Sequence, residues 1–199
     1  AAYLVYCMGI APENILTMTY TIAASAEMRT RFSAMFGEEY AARLEFRTIN
    51  GVCDSIINRY ARQTRAQRFD LVSDNGAILA EVFRTVRGEY PEGGDIKELQ
   101  NAITYIKNMR LPRGEIYELE AGGIAVAPVY DAYRETLRQR GLMDYDDQLV
   151  FARQILLRYP DILGALRERY KYICVDEAQD TSKIQHEIIR LLTGESGSI

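Results

Sequence analysis

Tyr170-Lys171-Tyr172-Ile173-Cys174-Val175 runs, with Lys171 its single charge, into the acidic pair Asp176-Glu177. Aromatic and β-branched residues at this density predict a strand, and the acids mark its end. Beyond them Ile184, Ile188, Ile189, Leu191 and Leu192 recur at helical spacing, so the strand passes through a short loop into a helix. The same passage occurs twice near the N-terminus. Ile15-Leu16-Thr17-Met18-Thr19-Tyr20, entered through Pro12-Glu13-Asn14, leads into the helix-forming Ala23-Ala24-Ser25-Ala26-Glu27-Met28-Arg29. Leu44-Glu45-Phe46-Arg47-Thr48 is followed, after Asn50-Gly51, by Val52, Ile56, Ile57 and Tyr60 on one helical face. Strands alternating with helices predict an α/β fold with a parallel sheet, helices over its faces, and a functional edge at the carboxyl ends of the strands.

Between the second and third of these strands no convincing strand is found, and Pro91-Glu92-Gly93-Gly94 and Leu111-Pro112-Arg113-Gly114 break the stretch into pieces. The pieces read as helices. Ile78, Leu79, Val82, Phe83 and Val86 make one apolar stripe, Leu99, Ile103 and Ile106 another, and Val129, Tyr130, Tyr133 and Leu137 a third. The expected division is therefore an α/β part over 1–65, an all-helical insertion over 66–140, and a return to the α/β part over 141–199. Asp144-Tyr145-Asp146-Asp147 opens that return, and its acids suit helix N-capping better than catalysis.

Composition bounds the function. The 199 residues are 48% hydrophobic and 26% charged, which suits a folded globular chain. No apolar run approaches the roughly 20 residues of a membrane span, and the start at Ala1-Ala2-Tyr3-Leu4 shows no basic leader, so a cytoplasmic location, no membrane partner and excision from a longer protein are expected. Cys7, Cys53 and Cys174 stand far apart, with His186 the single histidine. That spacing excludes a zinc site and predicts reduced, mostly buried thiols. His186 reads as an exposed helix residue. A net charge of −4 leaves no overall footprint for gripping phosphates, so any such surface must be local. Arg59, Arg62, Arg65 and Arg68 are spaced by three. They form either a phosphate-contacting ridge along a helix or simply a solvated face.

The pair Asp176-Glu177 carries the chemistry. A strand ending in two adjacent carboxylates is the Walker B arrangement, and the two positions differ in what they can do. The first carboxylate can hold Mg²⁺, a hard cation that prefers oxygen ligands, and the second can orient or deprotonate the water that attacks a γ-phosphate. Alone, such a pair is a weak signal, since apolar strands also end in Asp-Glu as a plain strand end or helix N-cap.

The eleven residues Val175-Asp176-Glu177-Ala178-Gln179-Asp180-Thr181-Ser182-Lys183-Ile184-Gln185 resemble motif II of the UvrD/Rep-type superfamily 1 DNA helicases. The resemblance implies Asp176 as the Mg²⁺ ligand, Glu177 as the residue that activates water, and Gln179 and Asp180 as the couplers of nucleotide state to DNA-contacting elements, with Gln179 also at the nucleotide. Gln185 sits where the family tends to keep the same residue. Thr19-Tyr20-Thr21-Ile22-Ala23-Ala24-Ser25-Ala26-Glu27-Met28 resembles motif Ia, usually Thr-Phe-Thr-Asn-Lys-Ala-Ala-x-Glu-Met, and keeps its aromatic as Tyr20. Tyr20 and Thr21 are the implied DNA contacts, Tyr20 by stacking on bases without reading sequence, although the ring can equally pack under the following helix. Ile22-Ala23 replaces Asn-Lys and removes a cation and an amide. Thr48-Ile49-Asn50-Gly51-Val52-Cys53 resembles motif Ib, commonly Thr-Phe-His-Ser-Phe-Cys, of which only the Thr and Cys remain. Thr48 can bond a phosphate, and Asn50 can replace one hydrogen bond of the lost His but not its stacking. Gly141-Leu142-Met143-Asp144-Tyr145-Asp146-Asp147 and Ile103-Thr104-Tyr105-Ile106-Lys107-Asn108 also resemble family segments.

The resemblance implies a partial RecA-like sheet of the P-loop NTPase fold, domain 1A, carrying the helical 1B subdomain as its insertion. It implies ATP and Mg²⁺ as cofactors, single-stranded DNA and single-strand/duplex junctions as partners, and 3′→5′ movement in repair or recombination. The sequence contains no Gly-x-x-x-x-Gly-Lys-[Ser/Thr], whose backbone and lysine cradle nucleotide phosphates, and its C-terminal residues resemble the approach to a third motif. The chain alone is therefore expected to be inactive. The alternative is a degenerate homologue that serves as a DNA- or protein-binding module.

Overall fold

In the computed structural model, which describes residues 1–194, the chain forms two compact units, one of Ala1–Arg65 with Phe151–Ile199 and one of Ala66–Val150. The last five residues, 195–199, where the sequence resembles the approach to a third motif, lie outside the described part. The first unit begins with α1 (Ala2–Tyr6), a 3-10 turn at Pro12–Asn14, β1 (Ile15–Thr19), α2 (Ile22–Phe36), α3 (Glu38–Arg43), β2 (Glu45–Thr48) and α4 (Ile49–Thr64). The second unit holds β3 (Asp70–Leu71), α5 (Gly76–Arg87), α6 (Asp95–Met109), α7 (Arg113–Tyr117), β4 (Glu120–Ala121), β5 (Ile124–Ala125), α8 (Val126–Arg140) and β6 (Leu142–Met143). The boundary falls within α9 (Tyr145–Arg158), after which α10 (Pro160–Arg169), β7 (Tyr172–Val175), a 3-10 turn at Ala178–Asp180 and α11 (Lys183–Thr193) complete the first unit.

Three strands make the sheet of the first unit, in the order β2-β1-β7 and all parallel. Thr17 is in register with Phe46 on one side and Cys174 on the other. The central β1 is buried at all five positions, as expected of a strand covered on both faces. β7, by contrast, is only half-buried. It starts two residues later than the apolar run suggests, because Tyr170 caps α10 and bonds its N–H to Leu166 O. One apolar cluster joins Val5, Ile15, Phe32, Ala41, Leu44 and Phe46. α4 turns Ile49, Val52, Cys53, Ile56 and Ile57 inward, and α11 does the same with Ile184, Ile188, Ile189 and Leu192. Their stripes follow the expected helical spacing.

The expectation of mostly buried thiols needs one correction. Cys53 is buried and Cys174 half-buried, but Cys7 follows a five-residue helix and is exposed.

In the second unit the three anticipated stripes form a single core. Leu79, Val82 and Phe83 of α5 meet Leu99, Ile103 and Ile106 of α6 and Val129, Tyr130, Tyr133 and Leu137 of α8. Val86, at the end of its stripe, is exposed. The unit is not purely helical, however. β3 pairs with β6 in parallel and β4 with β5 antiparallel, each for two residues. Strands this short carry no period-2 signal, which is why the sequence conceals them. No helix among the described residues is long and apolar enough to cross a membrane.

A polar cluster ties three of the helices of the second unit together. Lys107, 4% exposed, places Nζ 2.6 Å from Asp144 and 2.8 Å from Asp147. Tyr133 donates its hydroxyl to Asp144 at 2.9 Å and accepts from the Asn75 amide at 2.8 Å. Thr104, one turn before Lys107, and Asn108, next to it, bond Asp146 at 2.8 and 2.6 Å, as i, i+3 and i+4 positions on one helix face allow. Asp144 and Asp147 also exchange backbone-to-carboxylate bonds of 2.8 and 3.2 Å across the first turn of α9, a reciprocal cap of the expected kind.

Candidate functional site

The carboxyl edge of the three-stranded sheet gathers the residues singled out from the sequence. β1 ends at Thr19, whose hydroxyl donates to Thr21 O at 3.0 Å and turns the chain toward α2. Thr21 then caps that helix, its Oγ1 accepting from Ala24 N–H at 3.0 Å. Thr48 stands in the same relation to α4, accepting from Gly51 N–H at 3.0 Å. A Cβ at Gly51 would lie 3.1 Å from Thr48 Oγ1, so a glycine there leaves the cap uncrowded. Two helix N-termini, of 15 and 16 residues, thus face the edge with their partial positive charge. Both threonine hydroxyls use a lone pair for the cap and keep a proton to donate.

The sequence expectation began the helical stretch only after Asn50-Gly51. They instead form the first turn of α4, which starts at Ile49 because Thr48 caps it directly. Asn50 is half-buried there.

At the end of β7, Asp176 N–H donates to Met18 O at 2.9 Å and extends the pairing with β1 by one bond. Asp176 is half-buried, while Glu177, Gln179 and Asp180 are exposed. Glu177 adopts φ 51° and ψ 44°, a left-handed conformation that costs a non-glycine residue about 1–3 kcal/mol and concentrates at functional sites. The Gln179 amide donates to the Glu177 carboxylate. Asp180 N–H bonds Glu177 O at 2.9 Å, and Thr181 Oγ1 donates to Ala178 O at 2.7 Å. Ser182 and Gln185 then form a full capping box at the start of α11. This gives Gln185 a local task, whereas His186 next to it is exposed.

Tyr20 is 36% exposed, and Asp180 and Thr181 of this loop lie near its hydroxyl. Partial burial, and to a lesser degree the Asp180 carboxylate, push its phenol above the ordinary range.

A cleft of about 780 Å³ opens beside the α2 and α4 termini, lined by Arg47, Thr48, Asp54, Ser55, Asn58 and Arg62 among others. Arg47 lies 3.4 Å from Glu45, and the Asn58 amide donates to Asp54 at 2.8 Å. Of the four arginines spaced by three, only Arg62 lines this cleft. α4 ends at Thr64, and Arg65 turns left-handed at its C-cap, so Arg65 and Arg68 do not continue the Arg59–Arg62 face. Sequence reasoning missed Arg47, Ser55 and Asn58. Alternation along β2 and helical spacing from Thr48 would have placed them, had the register been known.

A model of the UvrD/REP helicase N-terminal domain matches residues 1–199. The chain belongs to that family. It is 30% identical to the ATP-dependent DNA helicase PcrA of Staphylococcus epidermidis over 202 residues, which cover 96% of this chain and 27% of that protein. It is 31% identical to the ATP-dependent DNA helicase UvrD1 of Mycobacterium tuberculosis over 207 residues, 97% of this chain and 26% of that protein. The PcrA of Staphylococcus aureus is 28% identical over 201 residues. The chain thus spans about a quarter of the length of these relatives. As a UvrD-family N-terminal domain it has the mixed architecture expected, a parallel sheet with many helices.

Proposed function

We propose that this chain is part of the first motor domain of an ATP-dependent DNA helicase, with its active edge at the carboxyl ends of β1, β2 and β7. Asp176-Glu177 at the end of a parallel strand, beside two helix N-termini, carries the reading. Within it the first unit is the RecA-like domain 1A, and the second, sequence range 66–140 extended to Val150, is the 1B subdomain.

A single half-buried carboxylate at a strand end fits an ion that keeps most of its shell for water and nucleotide phosphates. Asp176 is the residue to hold Mg²⁺. When bound, Mg²⁺ and ATP supply charge neutralisation and the phosphoryl group for hydrolysis. Glu177 is exposed and, among the described residues, forms no ion pair, which suits it to orient a water and take its proton. Gln179, bonded to that carboxylate, holds Glu177 in its turned conformation and, with Asp180, reports the nucleotide to the rest of the edge. Tyr20, Thr21, Thr48 and Asn50 face single-stranded DNA, Tyr20 through the open part of its ring. Transport along the strand in the 3′→5′ direction and engagement of single-strand/duplex junctions follow from the same family resemblance.

The replaced Asn-Lys of the first DNA segment and the lost aromatics of the second favour one other reading, a homologue that binds DNA or protein without working as a motor. The two readings separate in the full-length parent. Mg²⁺-dependent ATP hydrolysis is measured with and without single-stranded DNA, in the natural protein and in Glu177→Gln. The motor reading expects DNA-stimulated turnover and a loss of about 10²–10⁴-fold in the variant, the size of a general-base contribution. A correctly folded parent with no turnover selects the binding module.

A further inference from the structure

We propose that Arg47 is a further contact to the single strand and that Glu45 is its positioning residue, holding one end of the guanidinium so that the other faces the cleft beside α4. The inference deepens the proposed function and rests on it.

Glu45 and Arg47 stand two residues apart on β2 and so share a face of the sheet, while Phe46 between them turns into the core. The acid is the better covered of the two, its side chain 19% exposed against 41% for Arg47. Three groups meet at its carboxylate. Arg169, at the end of α10, bonds Oε1. The Tyr170 hydroxyl donates to Oε2 at 2.7 Å, and Arg47 Nε lies 3.4 Å from that same oxygen. Tyr170 is buried, and the Arg169 guanidinium lies over its ring, 5.1 Å from the centroid. Glu45 is therefore fixed from α10, independently of Arg47.

That arrangement decides what Arg47 has left to offer. Among the described residues its side chain has no second ion pair and no hydrogen bond. With Nε turned to Glu45, both Nη groups, which carry four of the five donors, remain for an anion. Two such groups in one plane match two oxygens of a phosphate. Arg47 lines the cleft in company with Thr48, Ser55 and Arg62, so its open end has somewhere to act. The charges agree with this. Two arginines share one carboxylate, so the group keeps a positive charge, and Glu45 orients Arg47 without cancelling it.

The test uses the full-length parent carrying Glu45→Gln, Arg47→Ala, or both, and measures affinity for oligo(dT) without nucleotide over a series of salt concentrations. The sign of the effect separates the roles. Removing an acid that merely sits near a polyanion tightens binding, whereas losing the residue that aims Arg47 weakens it. Each single substitution is expected to weaken binding at low salt by about two- to fivefold, the size of an exposed ion contact, and to flatten the salt dependence. With Arg47→Ala in place, Glu45→Gln weakens nothing further, because the group it positions is gone. Should Glu45→Gln fail to fold, Tyr170→Phe, which keeps every charge but releases the carboxylate, takes its place in the same comparison. Tighter or unchanged binding in Glu45→Gln, a loss that persists without Arg47, or natural affinity in Arg47→Ala overturns the inference and leaves the proposed function standing. A natural parent that does not bind oligo(dT) overturns the proposed function, and this inference with it.

Discussion

Lys107 shows how much can rest on one side chain. Burial alone would pull its ammonium toward neutrality, but Asp147 and Asp144 outweigh burial and hold it above its ordinary value of 10.5. Asp144, though also penalised by burial, is held below the usual carboxylate range by Lys107 and by its several hydrogen bonds, whereas burial prevails at Asp147 and pushes it up. Tyr133, buried and bonded to Asp144, is raised above its ordinary 10.0. Lys107→Met would strand two buried carboxylates and is expected to cost about 3–5 kcal/mol of stability, read from urea unfolding at neutral pH. The alkaline limb gives a second check. Lys107 and Tyr133 both hold protons more tightly folded than unfolded, so their contribution is complete below about pH 10 and is lost as pH rises through the folded values. The thermal midpoint should fall above pH 10, and less steeply in Tyr133→Phe. A flat midpoint to pH 11 would contradict the cluster. None of this was legible beforehand. Lys107 and Asp144 are 37 residues apart, and both segments attracted notice only for their resemblance, since one sequence carries no sign of which distant charges meet.

At the level of elements, capping decides where the functional edge begins. Thr21, Thr48 and Ser182 each cap a helix that leaves the sheet. Ser182→Ala removes one orphan-donor partner and half of a capping box, and should cost about 0.5–2 kcal/mol, seen as a lower thermal midpoint. Gln185→Ala in the same background should add little, because the reciprocal box is already broken. Either substitution alone having no effect would mean that α11 is held by its buried Ile184, Ile188, Ile189 and Leu192 instead. The three principal strands were readable from their β-branched and aromatic runs, and the apolar stripes because each helix runs long enough to show its period. β3 to β6 were not, at two residues each, nor was α3, whose six residues span under two turns. The start of α4 was misread because Asn50-Gly51 looks like a turn until the cap at Thr48 is seen. The acids of the edge were legible by position, but the left-handed Glu177 was not, since only a glycine would have announced it.

For the whole molecule the question is how a chain of net charge −4 could hold a polyanion. The total is misleading, because binding depends on the charges that face the strand. Along the cleft beside α4, Arg47, which also pairs with Glu45, and Arg62 stand with Asp54 among the described lining residues, and the α2 and α4 N-termini add their partial charge nearby. The cation missing from the first DNA segment, where Ile22-Ala23 stands for Asn-Lys, would on the proposed function be supplied from β2 and from the far part of α4. On the proposed function, each arginine neutralises about one phosphate of a single strand and contributes roughly 0.7 to the slope of log affinity against log salt. Arg47→Ala and Arg62→Ala in the full-length parent should each flatten that slope by about this amount and weaken oligo(dT) binding most at low salt. Base composition of the oligonucleotide should not alter the loss, since phosphate contacts carry no sequence information. Arg65→Ala, beyond the helix end and outside the cleft, should leave the slope unchanged. Should Arg65 matter as much as Arg62, the strand would run along the outer face of α4 rather than through the cleft, and the capped helix termini would lose their part in binding it.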